Sequence, residues 1–191
     1  IGSRLSFSTV GGVQAFQTKR DDFNSFVRYF PPGGVELIQA GSDIRRVQEA
    51  YEEETTGGLF LQEQIGIDDN LFITVGGRVD GSSTFGQDLG LQFYPKAAVS
   101  IGVPEDMLPG FISQMRPRVA IGQSGNQPDA FDADRTWLTQ VRLGNVSVFT
   151  PGSPGNALLG PERMTEIEGG ADFALFDDRL AVEATYFHQT V

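Results

Sequence analysis

The sequence predicts an all-β fold: an antiparallel, up-and-down wall of about seven strands belonging to a larger transmembrane β-barrel. Three observations predict it. Apolar and polar residues alternate with period two in stretch after stretch, as in strands with one dry and one wet face. The connections between these stretches alternate between short and long. The polar set is sparse in charge and rich in small and amide side chains, unlike a surface in bulk water. No run of about 18 apolar residues occurs, which excludes a spanning helix but not barrel strands, which are short and only half apolar.

The first stretch, "RLSFSTVGGVQAFQ", sets Leu5, Phe7, Thr9, Gly11, Val13 and Ala15 against Ser6, Ser8, Val10, Gly12 and Gln14. Residues 29–58 then read as a long loop whose "SDIRRVQEAYEEETTGG" has local helical spacing and many charges, a short helix or solvated coil. "LFLQEQIGI" alternates Leu59, Leu61, Ile65 and Ile67 with Phe60, Gln62, Gln64 and Gly66. Glu63 falls on its apolar parity, for which a local bulge is the available account. Asp68-Asp69-Asn70 turns the chain into "LFITVGGRVD", with Leu71, Ile73, Val75, Gly77 and Val79 on the apolar side. "LQFYPKAAVSIGV" and "FISQMRPRVAIG" follow, joined by "PEDMLPG" at 104–110. Pro95 and Pro117 lie inside them, and each removes a ladder donor, so edges or bulges are expected there.

Residues 123–162 read as a second long loop, within which "TWLTQVRLGNVSVF" reads as a strand pair extending beyond the barrel wall. The last hairpin, "MTEIEGGADFALFDDRLAVEATYF", turns at Phe176-Asp177-Asp178. Each strand spans roughly 9 to 14 residues, against about 9 to 11 needed to cross a bilayer at a tilt.

The wet face carries Arg78, Asp80, Lys96, Arg116, Arg118, Glu166, Glu168, Asp172, Arg179 and Glu183, both signs on neighbouring strands, as a lumen wall of paired charges would. The apolar face carries no charge over its central span apart from Glu63, and a Lys or Arg there would cost about 2–4 kcal/mol in lipid. Aromatic residues near strand ends, including Tyr29, Phe30, Phe93, Tyr94, Phe111, Phe176, Tyr186 and Phe187, fit interfacial girdles. Seven strands cannot close such a wall, so the remainder is expected from a longer chain. The closing "ATYFHQTV", ending in mid-pattern, reads the same way.

Composition limits the chemistry. A formal charge of −11 with only 14 Lys and Arg argues against a nucleic-acid partner. Cysteine is absent and His188 is the only histidine, which removes disulfides and thiolate metal sites and leaves no expected cofactor or metal. His188 reads as an interface residue at the outer end of the last strand rather than part of a catalytic group. Glu166, Glu168 and Asp172 share a face and are capable of acid/base work in principle, but lumen charge is the preferred reading. No phosphate-cradling glycine loop is present. "NVS" at 145–147 matches a glycosylation acceptor by chance. The candidate ligand contacts are Phe131, Trp137 and Phe149, aromatic residues of the long outer loop suited to stacking on a sugar or flat ligand; packing within the loop is the alternative.

"QEQIGIDDNLFITVGGRVDGSSTFG", "YPKAAVSIG", "RPRVAIGQSGNQP" and "GNALLGPERMTEIEGGADFALFDDRLAVEATYFHQT", in this order and spacing, resemble the C-terminal barrel region of TonB-dependent outer-membrane receptors, in the SusC/RagA-like branch. The resemblance covers residues 55 to 191, and 1–54 are compatible with a preceding strand and loop. It implies a barrel of roughly 22 strands in a bacterial outer membrane, plugged by an N-terminal domain outside this stretch. It also implies import of a scarce small nutrient (glycan, peptide, siderophore or similar) powered through TonB, with short turns in the periplasm and long loops outside. TonB contact would run through a region N-terminal to these residues, and a surface lipoprotein is a further partner the family admits. A non-transporting structural or adhesive barrel and a soluble β-sandwich binding module are the alternatives.

Overall fold

The computed structural model describes residues 4–34, 37–142 and 146–191. Among the described residues nine strands run in chain order: β1 Leu5–Arg28, β2 Asp43–Ile67, β3 Leu71–Ser82, β4 Gln92–Ile101, β5 Ile112–Asn126, β6 Trp137–Arg142, β7 Val146–Pro151, β8 Glu162–Leu175 and β9 Leu180–Thr190. Seven form one antiparallel sheet in the order β1-β2-β3-β4-β5-β8-β9, and β6-β7 is a separate hairpin. Neighbours in the sheet are therefore neighbours in sequence once that hairpin is set aside, which is an up-and-down meander.

The turn chemistry explains the short end. Asp68 and Asp69 have φ of 52° and 59°, and Asn70 N–H donates to Ile67 O at 3.2 Å. Asp177 and Asp178 have φ of 56° and 64°, and Arg179 N–H donates to Phe176 O at 3.4 Å. Positive φ at both central residues matches the right-handed strand twist, and Asp tolerates that region better than most residues. The β4–β5 connection, with a single turn of 3-10 helix at Glu105–Met107, lies at the same end. The described parts of segments 29–42, 83–91 and 127–161 lie at the other, so short and long connections sort by end as expected.

The sheet is one layer thick. Tyr94 is the only buried apolar side chain among the described residues. On the alternating apolar parity, Phe7 is 66% exposed, Leu61 59%, Val119 60% and Ile167 51%. A water-soluble domain of this length would hide about two-thirds of its surface around a core. Here no layer of described residues covers the apolar face, so the hydrophobic effect stabilises this sheet only when something apolar bathes that face.

Several expectations differ from the structure. Residues 29–58 are not a long loop: the connection ends at Ser42, and 43–58 belong to β2. The "SDIRRVQEAYEEETTGG" segment is neither helix nor coil but strand, paired with β1 in a ladder from Arg28↔Asp43 to Leu5↔Ile67. β1 and β2 are thus 24 and 25 residues long, well beyond 9 to 14. β3 reaches only as far as Thr56↔Ser82, so residues 17–28 and 43–54 continue as a two-stranded arm, roughly 40 Å at 3.3 Å per residue. Tyr29 and Phe30 consequently sit at its far end, away from any girdle. Glu63 also departs from expectation. It makes no bulge: it pairs in regular register with Thr9 and Val75 and accepts a hydrogen bond from the Thr9 hydroxyl.

The second long loop runs 127–161 and contains the expected strand pair, from Trp137↔Pro151 to Arg142↔Val146. Asn145 lies outside the described residues.

Candidate functional site

The wet parity of each strand builds one continuous polar face. Strand register decides who meets whom there. Ser100↔Arg118↔Gly170 lies across β4, β5 and β8, and Gly170 faces Thr185 on β9. With no side chain at Gly170, the Arg118 guanidinium extends over β8 to reach β9. Its Nη2 donates to Glu183 Oε1 at 2.6 Å and to Thr185 Oγ1 at 2.8 Å, Nη1 pairs with Asp172, and Nε lies 4.0 Å from Glu168 Oε1. One cation thus gathers three carboxylates, and its position depends on three strands being in register.

Two smaller clusters lie nearer the long-loop end. Arg78 Nε grips Asp80 at 2.6 and 2.8 Å, and Nη1 donates to Gln14 Oε1 at 3.0 Å, crossing the sheet from β3 to β1. Arg163 donates to Phe93 O at 3.1 Å and to Gln92 Oε1 at 2.7 Å, with its guanidinium carbon 5.4 Å from the Tyr94 ring centroid. On the arm, Glu53 accepts from Tyr51 and from Gln17 Nε2 at 2.6 Å, and pairs with Lys19 at 3.3 Å. The Tyr51 hydroxyl, and then Lys19, hold the Glu53 carboxyl below the usual carboxylate range; the same contacts raise Lys19 and Tyr51.

The three carboxylates considered for acid/base work are divided between partners. Asp172 and Glu168 belong to the Arg118 cluster, while Glu166 accepts from Gln189. A shallow concavity on this face is lined by Thr74, Lys96, Ala98, Ser124, Glu166 and Glu168, among others. No group of three or more His, Asp or Glu among the described residues is arranged to hold a metal ion. His188 stands opposite Ile167 on the apolar parity near the long-loop end of β9, with Thr190 Oγ1 3.4 Å from its Nε2.

The aromatic candidates separate. Trp137 and Phe149 lie on one face of the β6–β7 hairpin, since Trp137 pairs with Pro151 and Thr139 with Phe149, and they are 56% and 74% exposed. Phe131 sits in the preceding loop with φ of 67°, its carbonyl accepting from Asp134 N–H at 3.0 Å. The structure therefore brings two of the three together on an exposed hairpin. The arm and the Arg118 hub were not anticipated: the first has no apolar alternation to reveal it, and the second depends on long-range register.

Residues 2–191 match the family model described as TonB dependent receptor-like, beta-barrel. TonB-dependent receptor P26 of Formosa agariphila is 29% identical over 133 residues, covering 63% of this chain and 13% of its own length. Among solved structures, the RagAB peptide transporter superposes with a TM-score of 0.84 at 16% identity, over 97% of this chain and 21% of that one. The RagAB peptide importer in its closed-closed state also gives 0.84 at 16% identity, over 99% and 22%. At such identity the likeness is one of fold. The chain spans about an eighth of the curated relative and a fifth of the solved ones.

Proposed function

Because the chain belongs to the TonB-dependent receptor-like β-barrel family, we propose that it forms part of the wall of a bacterial outer-membrane importer of a scarce nutrient. The observation that carries this reading is the single-layer sheet whose apolar parity is exposed while its polar parity holds cross-strand charge clusters. Lipid on one side and an enclosed aqueous lumen on the other satisfy both faces at once. Further strands of the same barrel would pair with the outer edges of β1 and β9. The short turns then face the periplasm, and the long-loop end, with the β1–β2 arm and the β6–β7 hairpin, faces outward.

In this reading the protein moves its ligand and performs no covalent chemistry. The energy comes through TonB, engaged by a part of the receptor outside these residues, and a surface lipoprotein is a fitting partner at the outer end. RagAB, a fold neighbour, is a peptide transporter, so peptides are the first substrates to try. Trp137 and Phe149 are the candidate outer contacts for an incoming ligand. The test is fractionation of cells expressing the full-length receptor, followed by uptake of labelled peptides with and without an uncoupler. Recovery in the outer membrane, release only by detergent, and uncoupler-sensitive uptake are expected. A folded monomer in the soluble fraction without detergent would overturn the membrane assignment.

A further inference from the structure

Pro95 and Pro117 bracket the weakest seam in the sheet. The β4–β5 ladder has five residue pairs, from Lys96↔Gly122 to Ser100↔Arg118, beginning one residue after Pro95 and ending one residue short of Pro117. On either side, β3–β4 holds ten pairs and β5–β8 fourteen. Toward the short turns the strands rejoin, with Val103 N–H donating to Met115 O at 2.9 Å. Toward the long loops the register does not resume. There β4 continues to Gln92 and β5 to Asn126, each still paired to its other neighbour.

Side chains close the wall in that upper stretch. Tyr94 is 6% exposed, although no other apolar side chain among the described residues is buried. It lies so close to Gly125 that a Cβ there would come within 2.0 Å of the tyrosine hydroxyl oxygen, so only glycine leaves room for the ring. Arg163 reaches from β8 past β5 to the Phe93 carbonyl and Gln92 of β4. The cleft around Tyr94 is flanked at this seam by Lys96 of β4 and by Gln123, Ser124 and Gly125 of β5, consecutive residues whose side-chain positions alternate between the two faces.

We infer that the upper β4–β5 seam is a side port through the barrel wall, with Tyr94 as its stopper and Arg163 as its latch. Opening it requires a ring to swing and two side-chain hydrogen bonds to break, because the ladder has already ended at Lys96. Tyr94 lies seven residues along β4 from Ile101, which places it roughly 18 Å above the short-turn end for a strand tilted by about 40°. That is the outer half of an apolar band about 25 Å tall. An open port therefore joins the lumen to the outer leaflet and suits an amphipathic ligand, with an apolar chain and a polar head.

The port rests on the membrane-wall reading, which fractionation tests separately. The test uses the full-length receptor in bilayers, with Ser124→Cys on the lumen side of the cleft as the reactive thiol. The probe is a maleimide carried on an acyl chain dissolved in the lipid, and heat-modifiable gel migration confirms a folded barrel. Tyr94→Ala is expected to raise the labelling rate tenfold or more over the Ser124→Cys parent, while Tyr94→Phe, which keeps the ring, stays at the parent rate. A membrane-embedded Tyr94→Ala receptor labelled at the parent rate overturns the port and leaves the barrel assignment standing. Where Tyr94→Ala is not recovered folded, Gly125→Ala decides in the same way. Its methyl displaces the ring, so faster labelling supports the port and the parent rate overturns it.

Discussion

Val119→Lys in the full-length receptor separates a lipid-facing wall from a sheet in water. Val119 is the middle residue of β5, 60% exposed, flanked in register by Val99 on β4 and Gly169 on β8. None of these neighbours offers a carboxylate, and the site is too near mid-span for the ammonium to escape easily to either interface. The expected cost is about 2–4 kcal/mol, a shift of roughly 30- to 700-fold in the folding equilibrium at about 1.4 kcal/mol per decade. Ala120→Lys is the control one residue away: it points to the polar face, opposite Glu168, and should change stability by no more than about 0.5 kcal/mol. Urea titrations of the receptor folded into lipid vesicles, read by tryptophan fluorescence and heat-modifiable migration, measure both. Equal tolerance of the two lysines would refute the reasoning, because an exposed valine in water accepts lysine as readily as its neighbour does.

Asp177→Val should destabilise the β8–β9 hairpin by about 1–2 kcal/mol, since Asp177 holds φ of 56° and a β-branched residue resists that region, whereas Asp177→Gly should be neutral or better by the same titration. Acid should loosen the β1–β2 arm: the depressed Glu53 carboxyl stabilises it above the ordinary carboxylate pKa, and that contribution is lost as pH falls through the lower folded value. Amide protection over residues 17–21 and 51–55, corrected for intrinsic exchange, should drop at low pH in the parent, and the Glu53→Gln arm should start loose and change little. Arg118→Gln should lower the unfolding temperature by leaving Asp172, Glu183 and Glu168 to repel one another, and a second change, Asp172→Asn, should recover part of the loss.

Period-two patterning was enough to place the core spans of all seven wall strands and both Asp-rich turns, because each local rule there agrees with the fold. The arm was not legible for a physical reason. Its two faces are both wet, with Lys19 opposite Glu53 on one and Arg20 opposite Glu52 on the other, so alternation carries no contrast and the run of charges imitates a solvated helix. Glu63 looked like a defect because its partner, Thr9, lies 54 residues earlier and is found only through register. Pro95 and Pro117 were visible as two separate interruptions; that they bound the same seam depends on how β4 and β5 align. For the candidate ligand contacts, composition marked the aromatic loop, while pairing shows that Trp137 and Phe149 share a face of the hairpin; Phe131 lies outside that pairing, in the preceding loop.

Nitroxide scanning of β3 reads directly which face of the wall meets lipid. Spin labels placed singly from Leu71 to Val79 in the bilayer-reconstituted full-length receptor are read by collision with oxygen, which concentrates in lipid, and with a water-soluble nickel chelate. A wall with lipid on its odd parity gives period-two accessibility, with residues 71, 73, 75, 77 and 79 favouring oxygen and 72, 74, 76 and 78 favouring nickel. Odd positions shielded from both reagents, or open to nickel, would contradict it.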